Sequence, residues 1–212
     1  MKSFLVFFLC FLIISCQSLR IQAPLSWENS EHPERGAWSE AVRATVDEQF
    51  LNLDKAQNVG DFCPQYPSLQ DSKKKMFWSE LVVKMAFYES KWNPETVFAE
   101  PPPLGIDSIG LMQLSYEDKY SFCDLDKEKN TLKDPVKNLQ CAIRVMGQNI
   151  SENSVVTEGH TSANARGLAR YWSVMRPLVY NKKSKEWIVR EAYTGIRTHT
   201  SSLDVCRKLT KG

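Results

Sequence analysis

Three observations predict a mainly α-helical fold. Apolar residues recur at helical spacing in several separate segments, strand-type alternation is sparse, and one segment, residues 71–90, is apolar nearly all round. At 212 residues the chain is long enough for one good core, and no internal repeat or low-complexity tract divides it. Any β-structure is expected to be small, a hairpin over Ala99–Gly110 being its place.

The chain opens like a secretory signal. Lys2 supplies the positive start, and Phe4–Ile14 form an apolar run of eleven residues, too short to span a bilayer. Residues 1–15 therefore read as a signal peptide. The run ends in Ile13-Ile14-Ser15-Cys16, which resembles the bacterial lipobox. Cys16 is thus expected to be acylated and to become the new N-terminus, ordinary cleavage nearby being the alternative. Each buried methylene of an acyl chain would contribute roughly 0.8 kcal/mol to a membrane anchor. Gln17, rather than Asp, follows Cys16. By resemblance to Gram-negative lipoproteins this points to the periplasmic face of the outer membrane, with secretion as the other destination. Residues 16–36, with Pro24, Asn29, Ser30, Pro33 and Gly36, read as a lipidated N-terminus and tether, and residues 37–212 as one domain.

Within that domain Trp38, Ala41, Val42, Thr45, Val46 and Leu53 predict a first helix over 37–55. The second, over 72–90, has only Ser79, Glu80 and Lys84 as polar residues between Met76 and Tyr88, and Glu80 and Lys84 are spaced to pair on a narrow wet side. Residues 93–109 carry Pro94, Pro101, Pro102, Pro103 and Gly105 and are irregular. Ser115-Tyr-Glu-Asp118 resembles a capping box and predicts a short helix. Asp134-Pro135 caps another, continued by Val136, Leu139, Ile143, Met146 and Ile150. Further helices are expected from Ala165 to Met175 and after a Ser184 cap, the latter with Trp187, Ile188 and Tyr193.

Glu89 is the residue that asks for a chemical explanation. Trp78, Val82, Met85, Glu89 and Trp92 fall on one stripe of the apolar helix, and Asn93-Pro94 ends it. Desolvation and the negative end of the helix dipole both disfavour the carboxylate, and so raise its pKa toward a general acid's. A Glu fraying into water at a helix end is the plainer reading. Gly110-Leu-Met-Gln113 follows the proline-rich loop. Gly110 allows close approach of backbone to a ligand, Met112 offers an adaptable apolar surface, and Gln113 both donates and accepts.

In this order the residues resemble the soluble lytic transglycosylase and goose-type lysozyme superfamily. The resemblance runs from Lys73 to Arg176, through Tyr88-Glu-Ser-Lys-Trp-Asn-Pro94, Gly110-Leu-Met-Gln113 and Asp134-Pro-Val-Lys-Asn-Leu139. It weakens at Gly167-Leu-Ala-Arg-Tyr-Trp172, where the family has Tyr-Asn-Ala-Gly: Tyr171 matches, whereas Trp172, Ser173 and Val174 depart. The resemblance implies a lysozyme-like helical domain that cleaves the β-1,4 bond between MurNAc and GlcNAc in peptidoglycan. It also implies Glu89 as acid and then base, and Ser90, Gly110, Met112, Gln113 and Tyr171 along a sugar groove.

Glycoside cleavage requires a proton on the leaving oxygen, hence a carboxylic acid still protonated near neutral pH. A lytic transglycosylase needs that Glu alone, because the sugar's own 6-hydroxyl attacks to give a 1,6-anhydro end. A hydrolase uses water, and an inverting one generally needs a second carboxylate ~6.5–9.5 Å away. Asp107 is the candidate, with Glu100 behind it, although Asp beside such a loop is also an ordinary turn residue. Both outcomes stay open, as does a lysozyme-like module that holds peptidoglycan without cutting it.

Export and an even number of further cysteines, Cys63, Cys123, Cys141 and Cys206, suggest two disulfides. Three pairings are possible; Cys123–Cys141 with Cys63–Cys206 is the one expected, the short loop contributing about 3 kcal/mol. A thiol hydrolase pairing one cysteine with His160 or His199 is the rival reading. Without a CxxC, and with His32, His160 and His199 isolated, no metal and no cofactor is expected. Net charge is near zero, but residues 160–212 are strongly basic, which suits either an acidic polymer or a bare solvated surface. The expected partners are peptidoglycan glycan strands and, through the lipid, a membrane. No nucleic acid is expected, and the chain is expected to be a monomer.

Overall fold

The computed structural model describes residues 23–102, 104–118 and 120–207. Cys16 and the segment read as a signal peptide lie outside the described residues. Four α-helices carry the fold: α1 (Arg35–Leu53), α2 (Asp71–Ser90), α3 (Pro135–Asn153) and α4 (Glu191–Ser201). Six short strands form three antiparallel pairs: β1 (Val97–Ala99) with β2 (Asp107–Ile109), β3 (Thr157–Glu158) with β4 (Arg166–Gly167), and β5 (Leu178–Asn181) with β6 (Glu186–Val189). The mainly α expectation holds, with more β-structure than the one hairpin foreseen. None of the described helices is long and apolar enough to cross a membrane.

The helical periodicity of α1 buries Trp38, Ala41, Val42, Thr45, Val46 and Leu53. Those residues pack chiefly on α3, whose Leu139, Ile143, Met146 and Ile150 are wholly buried. Asp134 starts α3 as expected, its carboxylate accepting from the Val136 and Lys137 amides at 2.9 and 3.1 Å. Helix α2 lies against α1 on one side and α4 on the other. Gly195 lets α4 come close, since a Cβ there would strike the Tyr88 hydroxyl of α2.

Several local expectations give way to tertiary structure. Glu80 does not pair with Lys84 on a wet face. It is 4% exposed and accepts from the Ser26 amide at 3.0 Å, the Ser26 hydroxyl at 2.6 Å and His199 Nε2 at 3.0 Å. Burial alone would raise its pKa; the donors from His199 and Ser26 outweigh that and hold it below the usual value. Lys84 instead sits over the Phe87 and Tyr88 rings. The same bonds pin the segment read as tether. Leu25 and Trp27 are buried, and Trp27 Nε1 donates to Ser39 at 2.7 Å, so this stretch packs on the helical body, and α1 starts at Arg35.

Ser115–Asp118 forms a closed turn with no helix after it. Asp118 accepts the Ser115 amide at 2.9 Å and the chain then turns away toward Cys123. The helix expected over 165–175 is replaced by strand β4 and two single 3-10 turns, Leu168–Arg170 and Ser173–Met175. Gly167, at φ +59°, passes so close to the Val155 and Val156 carbonyls that pairing with β3 wins over helix propensity. Ser184 caps no helix either. Its amide and that of Lys183 donate to Asn181 Oδ1 at 3.2 and 2.9 Å, which fixes a hairpin turn between the β-branched and aromatic runs of β5 and β6. The disulfides are Cys63–Cys206 and Cys123–Cys141, the expected pairing. All four thiols are thereby consumed, which removes the thiol-hydrolase reading.

Candidate active site

Helix α2 delivers Glu89 to its own C-terminus. Trp78, Val82 and Met85 on the same stripe are fully buried. The helix ends because Lys91 and Trp92 both adopt left-handed backbone, at φ 56° and 62°, before Pro94 is reached. Trp92 folds back, its Nε1 donating to the Val83 carbonyl at 2.9 Å. Glu89 is left half-buried, with no hydrogen-bond partner among the described residues. Burial pushes its carboxyl up to about 8; the charge of Glu100 adds to the rise, and Arg190 opposes it. The group is therefore a neutral acid at pH 7, while its remaining exposure leaves it reachable.

Asp107 is exposed at the start of β2, opposite Ala99, whereas the carboxylate whose charge acts on Glu89 is Glu100. Glu100 sits just past β1, tied by its amide to the Ile106 carbonyl at 2.8 Å and by its side chain to the Ser108 hydroxyl at 3.0 Å. Arg190, between β6 and α4, brings the opposing charge, and its Nε is buried without a partner among the described residues. Nothing in the local pattern around Arg190 pointed to the site.

Gly110–Gln113 forms a tight loop closed by reciprocal Ile109–Leu114 backbone bonds at 2.7 and 3.0 Å. Gly110 adopts φ +80°, and a Cβ there would fall on the Leu132 carbonyl and the Asn138 amide. Its missing side chain thus serves a close approach of protein to protein. The Gln113 amide donates to the Gly110 carbonyl at 2.9 Å and the Thr96 carbonyl at 3.3 Å, and Met112 is fully buried. Ser90 is buried too, its hydroxyl within 3.0 Å of the Leu111 carbonyl, so it fastens α2 to the loop. Tyr171 is half-buried and donates to Asp118. Burial, with the Asp118 charge, pushes its phenol well above the ordinary range.

Asn138 of α3 organises this loop and was quoted in the sequence without a role. It is fully buried, accepts the Met112 amide at 2.8 Å, and donates to the Ile109 and Leu132 carbonyls at 3.0 and 2.9 Å. A polar residue beside Leu139 on an otherwise apolar helix face was the signal for it. A cavity of about 650 Å³ lies elsewhere, between α1 and α3, lined by Glu48, Phe122, Arg144 and Gln148 among others and by none of the residues around Glu89. No group of three or more His, Cys, Asp or Glu that could hold a metal ion stands together among the described residues.

A desolvated acid at the end of an apolar helix, braced by a Gly-Leu-Met-Gln loop in a mainly helical domain, defines the lysozyme-like class of glycan-cleaving enzymes. The family model described as Transglycosylase SLT domain matches residues 67–188, and the chain belongs to that family. It is accordingly a peptidoglycan-cleaving enzyme of the lytic transglycosylase type, acting outside the cytoplasm. Solved structures of Bd0314 DslA are similar to it. The wild-type form 2 is 27% identical with a TM-score of 0.72, the match covering 87% of this chain and 98% of that one. Two glutamate-to-glutamine mutants of the same protein are also 27% identical, with TM-scores of 0.70 and 0.71; the matches cover 84% and 86% of this chain, and 95% and 97% of theirs. A comparison with curated proteins finds no match.

Proposed function

We propose that Glu89 is the acid, and then the base, that cleaves the β-1,4 bond between MurNAc and GlcNAc. One observation carries this reading: a reachable carboxyl at the end of an apolar helix, unpaired among the described residues and held protonated by burial up to about 8. Neutral Glu89 gives its proton to the glycosidic oxygen as the C1–O bond breaks, and the GlcNAc side leaves as an alcohol. The resulting Glu89 carboxylate takes the proton of the MurNAc 6-hydroxyl as that oxygen bonds C1, which yields a 1,6-anhydro end and returns Glu89 to its starting state. The Gly110–Gln113 loop, fastened to α2 by Ser90, lies beneath the sugar, and Tyr171, bonded to Asp118, stands at its margin.

A hydrolytic variant of the same step is the second reading, since it needs another carboxylate near the acid and the charge of Glu100 acts on Glu89. The glutamates substituted in the two Bd0314 DslA mutants lie eleven residues apart, which is also the spacing of Glu89 and Glu100. In that variant Glu100, in the place proposed for Asp107, positions the attacking water. Acylation of Cys16 would hold the domain at the periplasmic face of the outer membrane through the short segment before Leu25, where peptidoglycan strands are within reach. Mass spectrometry of fragments released from purified cell walls tests the proposal. Fragments one water lighter than the hydrated product support transglycosylation by Glu89 alone; hydrated reducing ends replace it with the Glu100-assisted reaction.

A further inference from the structure

The β5–β6 hairpin takes no part in the chemistry above, yet it exposes an organised aromatic surface. Its register pairs Leu178 with Val189, Val179 with Ile188, Tyr180 with Trp187 and Asn181 with Glu186. Side chains alternate along a strand, so Leu178, Tyr180, Trp187 and Val189 share one face. Tyr180 and Trp187 are each 46% exposed and Val189 63%. Their rings nonetheless pack on one another: the Tyr180 and Trp187 centroids lie 5.5 Å apart, and His160, from the β3–β4 connection, packs edge-on to Trp187 at 4.6 Å. Contiguous apolar surface exposed to water marks a binding face more often than a scattered apolar residue does.

The hairpin also has a direction. Its base is closed by the Arg190 amide donating to the Pro177 carbonyl at 2.9 Å, and the Arg190 guanidinium is the charge that acts on Glu89. From that margin of the active site the four-residue strands extend about 13 Å, the span of a short run of sugar rings. The turn at the far end carries exposed Lys182, Lys183 and Lys185.

We propose that Tyr180, Trp187 and His160 form a glycan subsite beyond the cleavage point, where a pyranose ring of the peptidoglycan strand stacks on Trp187 and the turn lysines meet stem-peptide carboxylates. The inference rests on the peptidoglycan reading above. The axial C–H face of a pyranose is apolar and flat enough to cover an indole, while its hydroxyl rim meets the Tyr180 hydroxyl, the indole N–H and the imidazole. A lipid surface fits less well. The part of the hairpin that would enter first is the lysine turn, and burying those charges in hydrocarbon would cost far more than the apolar face returns.

The test uses the mature chain carrying Glu89→Gln, so that binding is read without cutting. Binding is measured by cosedimentation with intact peptidoglycan and with vesicles of phosphatidylglycerol and phosphatidylethanolamine, and by titration calorimetry with soluble glycan chains freed of stem peptides. Adding Trp187→Ala is expected to weaken binding to both glycans by about tenfold, with an unchanged thermal midpoint, and Trp187→Phe to restore most of it. Adding Lys182→Ala, Lys183→Ala and Lys185→Ala together is expected to weaken binding to intact peptidoglycan alone. Unchanged affinity of Trp187→Ala for peptide-free glycan overturns the subsite, whether or not vesicle binding changes; a loss seen only on vesicles would make the hairpin a membrane contact. Release of fragments by the unsubstituted protein is assayed alongside. Its absence would fail the catalytic reading and leaves the binding result to stand or fall separately.

Discussion

Trp172 donates its indole N–H to the Met112 carbonyl at 2.9 Å, joining the segment after β4 to the centre of the Gly-Leu-Met-Gln loop. Trp172 departs from the family's Tyr-Asn-Ala-Gly pattern, and it is 1% exposed. The departure fills the wall behind the site rather than emptying the site. Met112 is thereby held from two sides, its carbonyl by Trp172 and its amide by Asn138.

Trp172→Phe keeps an aromatic ring in the core and removes the one donor, leaving the buried Met112 carbonyl unpaired. The expected cost is about 1–3 kcal/mol of stability, read as a lower thermal midpoint, with a partial loss of cleavage as the loop loosens. An unchanged midpoint would mean that the carbonyl finds another partner.

Glu89→Gln removes the transferable proton and keeps the shape. Cleavage is expected to fall by about 10²–10⁴-fold while circular dichroism stays native. Stability should respond to pH in a definite direction. The folded carboxyl titrates at about 8 and the unfolded one near 4.5, so the native state holds the extra proton between those values. Wild-type stability is then lost as pH rises through that window. Gln carries no such proton, so the variant should gain on the wild type across it, by about 2–3 kcal/mol after discounting for the partial exposure of the carboxyl. Parallel denaturant titrations at pH 5 and pH 9 check this, and a constant difference would show Glu89 to be solvated.

Glu100→Gln removes the like charge that helps hold Glu89 protonated. The alkaline limb of the pH–rate profile, which reports loss of the Glu89 proton, should move to lower pH. Asp107→Asn should leave that limb in place. If Glu100 also positions a water, its substitution additionally suppresses hydrated products; if not, the limb moves and the product mixture is unaltered.

The fold was legible where local and tertiary preferences agree. The apolar stripe of α2, the Asp134 cap and the periodicity of α1 each specify a helix that the core also requires. They were misleading where a distant contact decides. Gly167 is drawn into β-pairing by the Val155 and Val156 backbone, and Ser184 into a turn by Asn181. The desolvation of Glu89 was legible because an acid on an apolar stripe conflicts with its surroundings. Arg190 was not, since it acts on a residue far away in sequence, and Asn138 showed only as a polar residue beside Leu139, two of its three partners lying in the distant Ile109–Met112 stretch. The charge that Glu100 places on Glu89 was not legible, because nearness to Gly110 along the chain, which favours Asp107, is not nearness in space.

The two disulfides close loops of very different size, and this gives a prediction independent of the active site. Cys63–Cys206 spans 143 residues and ties the segment before α2 to the end of the described chain, whereas Cys123–Cys141 spans 18. In the chain-entropy picture the longer loop restricts the unfolded state more, by about 2 kcal/mol. Cys63 and Cys206 are also fully buried, and Cys206 follows α4, so opening that bond is expected to loosen the packing of α4 on α2. Paired serine substitutions should therefore lower the midpoint more for Cys63/Cys206 than for Cys123/Cys141, and only the first pair should also depress cleavage. Calorimetry with fragment release decides the matter: equal shifts for the two pairs would show that the unfolded chain is already compact enough to erase the difference in loop length.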